Sequence, residues 1–415
     1  MNNNLNNLMT KYECSYILNM KKKDKDFLKA IVKYIKETNF TVKNKTIVTL
    51  IYNYFFKKSL LPNVNYITGP FSLSYHYIPS LDKKIYIFGE NHENTHLCPV
   101  SLNSTFIVDY IVKLLTNTNV FIDFYIEDRL TQLEFIDLDE DEKWFKDKDN
   151  QNKWGITIET LRHKLLYCRK NKKEQQWCIT NRIHQSDQRV AYYNNISEYT
   201  DMYEEDAELY KIIHYFKLIA LTEENKKIIK LSQIDKKLFK KVFNKILKSK
   251  DSPYLFNEIL KNKNIKKQYN KTNAKIKKLI KKYFKKQLLS MNSKFIITEY
   301  IEEYTTSSKN IDTFFDDIYA CISMVSFCSN LSVLFMDMYL LCRLFVTYDT
   351  KREDYAPSDQ KNIIIYAGDL HSELYRDFIL FSKISTININ SQLGQYGDED
   401  NCLDMTGIHQ PFFSY

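Results

Sequence analysis

Hydrophobic positions change their spacing along this 415-residue chain. From residue 1 to about 66 they recur at helical intervals, as in FLKAIVKYIKE and IVTLIYNYFFKK, and predict an N-terminal helical region. From about 67 the pattern shortens. Ile85 to Phe88, in KKIYIFG, is a fully apolar strand closed by Gly89. STFIVDYIVKLLTNT then reads as a helix with Ser104 as its N-cap. VFIDFYIED holds a second strand, Val120 to Ile126. A strand, a crossover helix and a strand predict two parallel neighbours in one sheet.

Later segments repeat the alternation. QWCITNRI (176–183) is a third strand, KNIIIYAG (361–368) a fourth and STININ (385–390) a fifth, with SELYRDFIL a helix before the last. The expected fold is α/β, a central and mostly parallel sheet flanked by helices. Between the third and fourth strands the period is helical. Ile228, Leu231, Leu238, Val242 and Ile246 share one spacing, and Ile276, Leu279, Ile280, Tyr283 and Phe284 another. The chain thus divides into a helical region (1–66), a split α/β core (67–194 and 301–415) and a helical insertion (195–300).

Charge sharpens that division. Residues 226–286 hold 22 Lys, no Arg and 3 acids (Asp235, Asp251, Glu258), a net of +19 in a chain of net +9, which leaves −10 for the rest. Such a block suits nucleic acid or an anionic surface, and equally a solvated helix face. It reads as an addition to the core that deletion would remove without unfolding the rest. Ile318 to Met336 carries no charge for 19 residues but is broken by serines and Asn330. It predicts a buried core helix, or two broken near Asn330, and no transmembrane segment. The N-terminus lacks a basic start followed by an apolar run. With 8 scattered cysteines, the chain is expected to be intracellular, cytoplasmic and free of disulfides.

Ligands of open parallel sheets bind beyond the carboxyl ends of the strands. The first expected strand ends in Gly89-Glu90-Asn91-His92, the second in Glu127-Asp128. The third runs into His184, Asp187 and Arg189, and the fourth ends in Gly368-Asp369-Leu370-His371. In the two G-x-x-H turns the glycine permits a tight exit. The histidine then lies near a helix start, which disfavours its protonation, with Asp369 a candidate N-cap. A neutral imidazole suits a general base or a metal ligand. His92 also begins HENTH, the H-E-x-x-H pattern of zinc peptidases. That pattern needs both histidines on one regular helix. A strand just before it and Pro99 just after predict a loop or single turn instead. Asp337 and Arg343 lie six apart in the apolar segment and read as a structural pair, and Cys98 as packing.

Gly89, Glu90 and His92, Glu127, and Gly368 with His371 together resemble the TraB/TIKI, erythromycin-esterase and ChaN superfamily. The resemblance covers the split core, about half the chain. It implies a parallel sheet with these residues on one rim. TIKI-like members are divalent-metal peptidases, erythromycin esterases open lactones and ChaN-like members bind haem. The chain also resembles uncharacterised proteins of giant DNA viruses, which pair a G-x-x-H strand end with stretches like RIHQSDQR and LFMDMYLLCRLF. The expected activity is therefore a hydrolase of peptidase or esterase type. His92, Glu127 and His371 hold Zn, Mn or Co or activate water, Glu90 acts as acid/base, and His184, Asp187 and Arg189 complete the pocket. The rival is a viral structural or scaffold protein that keeps the fold without turnover and binds nucleic acid or a partner through its lysines.

Overall fold

The structure is a computed structural model. It describes residues 64–91, 98, 102–118, 120–129, 161, 181–187, 253–294, 318–348, 357–393, 402–410 and 412–413, with isolated positions between 208 and 245. The expected N-terminal helical region, His92 with the rest of HENTH, and Arg189 lie outside these residues.

Among the described residues the core is α/β. Six strands form the main sheet in the order β6-β5-β7-β3-β2-β8. They are β2 (Ser72–Ile78), β3 (Lys83–Glu90), β5 (Ile122–Arg129), β6 (Asn181–Asp187), β7 (Asn362–Gly368) and β8 (Ile387–Leu393). The run β6-β5-β7-β3 is parallel, and β2 and β8 close the other edge antiparallel. A small sheet of β1 (Tyr66–Thr68), β4 (Ser104–Phe106) and β9 (Cys402–Asp404) lies beside it, in the order β4-β1-β9.

Alternation along the parallel strands feeds two cores. Tyr86, Phe88, Phe124, Ile126, Ile364 and Tyr366 pack with helix α1 (Ile107–Asn117) and with Leu403, Met405 and Phe412. Ile85, Ile87, Tyr125, Ile363, Ile365 and Ala367 face the other way. There they meet α2 (Pro253–Ile259), α3 (Lys263–Lys271), α4 (Ala274–Lys294), α5 (Ile318–Leu344) and α6 (Asp369–Ser382). With both faces covered, the middles of the central strands are largely apolar, as a parallel sheet requires, and polar groups such as Asp123 are buried with partners.

Several sequence expectations need correction. Ser104 is the start of β4, and α1 begins at Ile107 with Phe106 at its N-cap. Of the two readings for the apolar segment, the single buried helix holds: Ile318 to Leu344 is one helix that passes through Asn330 unbroken. Among the described residues no helix is long and apolar enough to cross a membrane. Cys98 and Cys402, 304 residues apart, form a disulfide that ties the segment after β3 to β9; scattered spacing gave no hint of it. Gly89 does not close β3 but sits inside it, paired with Ala367 and Ser72. A Cβ there would strike the Asp369 carboxylate and approach Ser72 Oγ to 2.5 Å. Close approach, not a turn, requires the glycine.

The lysine-rich segment is not peripheral either. Its Phe256, Ile265, Ile276, Ile280, Tyr283 and Phe284 are buried in the same core as β3, β5 and β7. Deleting residues 226–286 would strip that layer from the sheet, so the expectation of a removable block fails on packing.

Candidate functional site

Glu127 and His371 come together at the carboxyl rim. Glu127 follows Ile126, which pairs with Tyr366, so it stands beside the end of β7. Its Oε2 accepts the Gly368 N–H at 2.7 Å. Gly368 is the N-cap of α6 and has no side chain to offer, so a carboxylate from the neighbouring strand meets the positive end of that helix. One turn later His371 turns into the core. Its Nε2 lies 3.4 Å from Glu127 Oε1, and its Nδ1 lies 2.6 Å from Asp337 Oδ1 on α5. All three side chains are buried. Burial pushes the Asp337 carboxyl above its ordinary range, against the pull of His371 and the Tyr375 hydroxyl, and Glu127 adds to the rise.

The first turn of α6 is tied down on three sides. Ser372 Oγ donates to Phe88 O at 2.9 Å. Asp369, expected as an N-cap, accepts instead from Ser72 Oγ and, at 3.2 Å, from Arg376 Nη1. Arg376 also donates to Ser72 and Ser74. The presence of Asp369 over Gly89 belongs to this lattice of bonds. Leu370, between Asp369 and His371, is 81% exposed on the same rim.

Glu90 is buried at the end of β3, opposite Gly368 in the register, so Glu90 and Glu127 flank β7 from its two sides. Alternation from Tyr86 and Phe88 directs Glu90 toward the α1 face, whereas Glu127 follows Asp123 and Tyr125 to the α5 face. Asp187 is buried at the carboxyl end of β6, opposite Arg129. Among the described residues no group of three His, Cys, Asp or Glu side chains could hold a metal ion. His92, the third expected ligand, is not among them.

His184 does not join the rim. The third strand is displaced toward the C-terminus from its expected span, and His184 lies midway along it, paired with Tyr125. It belongs to a second buried cluster toward the amino ends of the strands. Asp123, four residues before Glu127 on β5, is roughly 13 Å away at ~3.3 Å per residue. Arg343 Nε donates to His184 Nδ1 at 3.1 Å, and a guanidinium cannot accept, so that nitrogen is bare. His184 Nε2–H then donates to Asp123 Oδ1 at 2.8 Å. Tyr125 and Tyr348 stack on the ring, with centroids 4.2 and 5.5 Å away. Burial, reinforced by the Arg343 charge, lowers the His184 pKa to about 4 despite its bond to Asp123. Burial pushes Asp123 up, but bonds from His184 and Arg182 hold it below its ordinary value. With both nitrogens and its ring engaged, His184 is built into the structure, and its expected catalytic role is withdrawn.

Asp337 and Arg343 also part company. Asp337 answers His371, and Arg343 answers His184. Six residues turn a helix through 600°, which places the two side chains 120° apart on its circumference. That arithmetic could have rejected the pairing and left Asp337, a lone acid in an apolar helix, in search of a histidine. Arg182, at the start of β6, pairs with Asp123.

Comparison with family models, curated proteins and solved structures finds no match to this chain.

Proposed function

We propose that the protein is a hydrolase of peptidase or esterase type, with its site at the carboxyl rim around Glu127 and His371. One observation carries the reading, the buried chain Asp337–His371–Glu127. An N···O separation of 3.4 Å between His371 Nε2 and Glu127 Oε1 exceeds a well-formed hydrogen bond. It leaves a nitrogen and an oxygen side by side, the donor types that divalent ions take. The carboxylate on the other ring nitrogen is the usual support of a metal-bound histidine. These groups therefore fit a divalent ion, Zn, Mn or Co, held by Glu127, His371 and, from its place in the sequence, His92. Such an ion would supply Lewis acidity at this rim. The chain's own groups have separate tasks. Asp337 fixes the orientation of the His371 ring, and the Gly368 amide fixes Glu127. Glu90, expected as the acid/base, points to the opposite face of the sheet and has no part in this site, and Asp187 is buried at the end of β6. Leu370 offers an apolar contact for substrate. The TraB/TIKI and erythromycin-esterase resemblance supports this assignment.

The test is Glu127→Gln. The amide keeps the volume and still accepts from Gly368, but loses the charge. Metal content after reconstitution and hydrolysis of ester and peptide panels should fall at least tenfold, with the melting temperature nearly unchanged. Full metal content and activity in the variant, or no metal and no hydrolysis in wild type, would overturn the assignment. His371→Ala is a poorer choice because it leaves Asp337 buried and unpaired.

A second reading, in which the protein binds a polyanion through its lysine-rich segment with or without turnover, is favoured by one further observation. The lysines of α3 and α4 lie on the outside of the helices while their apolar side enters the core.

A further inference from the structure

We infer that the lysine face of α3 and α4 docks on the phosphate backbone of double-stranded nucleic acid without reading its sequence. The inference rests on the second reading above, that this face takes a polyanion, and specifies which one. Lys263, Lys266, Lys267 and Lys271 on α3, and Lys275, Lys278, Lys281, Lys282 and Lys286 on α4, are exposed. No acid occurs between Glu258 and Glu299, and Glu258 is buried against Lys261. A solvated helix face normally mixes signs, because opposite charges at i,i+4 stabilise and like charges destabilise. Here 263/267, 278/282 and 282/286 are all Lys–Lys pairs. Phosphates relieve that repulsion. The exposed acids that border the face, Glu373 and Asp377 of α6, approach it from the side of Tyr283.

Three observations select duplex nucleic acid. The apolar side of α4, Ile276, Ile280, Tyr283, Phe284 and Leu288, is consumed by the protein core. It leaves no apolar face to enter a bilayer, which an interfacial helix needs. The nearby rings are covered by ammonium groups. Lys281 lies over Phe256, Lys277 over Tyr269, and Lys282 and Lys286 both over Phe381. Rings so capped are not platforms for unpaired bases. Finally, residues 226–286 contain no Arg. Lysine meets phosphate as a point charge and lacks the planar fork that reads guanine edges.

The experiment measures fluorescence anisotropy of the full chain with two duplexes of unrelated sequence and one single strand, and sedimentation with phosphatidylserine vesicles. If about five phosphates are neutralised, the log–log salt slope is about −4.5, a roughly 500-fold loss of affinity between ~50 and ~200 mM salt. Both duplexes should bind alike, and more tightly than the single strand. The quadruple variant K275Q/K278Q/K282Q/K286Q should flatten the slope by about 3.5. The matching Lys→Arg quadruple should retain the slope, and both should melt like wild type. Binding to vesicles but not duplex would overturn the inference and leave the polyanion reading standing. Binding to none would overturn both. Unequal duplexes, a preferred single strand, or a slope unchanged in the Gln variant would also overturn it.

Discussion

Acid should destabilise this fold through His184, and the size follows from its surroundings. The ring is sealed between Tyr125 and Tyr348, with Arg343 on one nitrogen and Asp123 on the other. Its pKa drops from 6.5 in a free chain to about 4 when folded. Between these values the unfolded chain binds a proton that the folded one refuses. The stabilisation is therefore complete above pH 6.5 and is lost as pH falls toward 4. A shift of 2.5 units at ~1.36 kcal/mol each is about 3 kcal/mol, a large share of the stability of an ordinary domain. Asp123 works in the same direction, but its loss begins only near its ordinary value of 3.8, below the His184 window. The perturbation is His184→Gln, which removes the titration while keeping a donor for Asp123. Urea unfolding at steps from about pH 7 to about pH 4, extrapolated linearly, measures both proteins. The variant starts less stable, since the fork of bonds is imperfect, but its profile should be flatter by about 3 kcal/mol. Parallel profiles would refute the reasoning, because Asp123, the titrating partner that the substitution alters, loses its charge only below this window.

Two further outcomes test the packing. Gly89→Ala should cost about 1–3 kcal/mol by thermal melting, the range for overpacking, because Asp369 is pinned by Ser72 and Arg376 and cannot retreat; an unshifted melt would mean that the first turn of α6 is free to move. Phe284→Ala should cost about 3–5 kcal/mol by denaturant unfolding, as for any buried core phenylalanine; a cost below about 1 kcal/mol would restore the lysine-rich segment to the status of an appendage.

The α/β class was legible because the strands buried on both faces are short unbroken apolar runs, as in Ile363 to Tyr366, and because the helices between them keep their own period. Of the antiparallel edge, β8 overlaps the expected strand at 385–390, but β2 was not legible. Ser72, Ser74 and His76 interrupt β2 with polar groups that are satisfied only in three dimensions, by Asp369, Arg376 and one another. A single sequence shows such residues as loop. The rim was partly legible. Glu127 and His371 stood at expected strand ends and meet. Asp337 was noticed and given the wrong partner, because a histidine 34 residues away in sequence leaves no local trace. His184 was misplaced by a strand boundary. A slip of a few residues moves a side chain from the rim into the sheet, and boundaries are where local pattern carries least information.

The two histidines beneath α5 show how one buried helix can hold two rings in opposite electrostatic settings. Both rings have a carboxylate partner, so a carboxylate alone does not distinguish them. What differs is the other nitrogen. On His184 it receives a guanidinium, which enforces the bare acceptor and opposes a positive charge, and aromatic rings stack on the imidazole. Nothing can be delivered to such a ring without dismantling it. On His371 the second nitrogen faces an acid across 3.4 Å, at the end of the sheet rather than within it. An anion on Nδ1 strengthens Nε2 as a donor, and a second anion opposite favours a cation or a proton between them. Arg343 and Asp337 thus give opposite instructions to two rings otherwise alike. The first holds its histidine neutral and enclosed. The second holds its histidine oriented toward a carboxylate that has one oxygen on the Gly368 amide and the other turned to the ring. The first arrangement encloses its ring and the second sets its ring against a carboxylate at the end of the sheet, a contrast that supports the proposed site at the Glu127 rim.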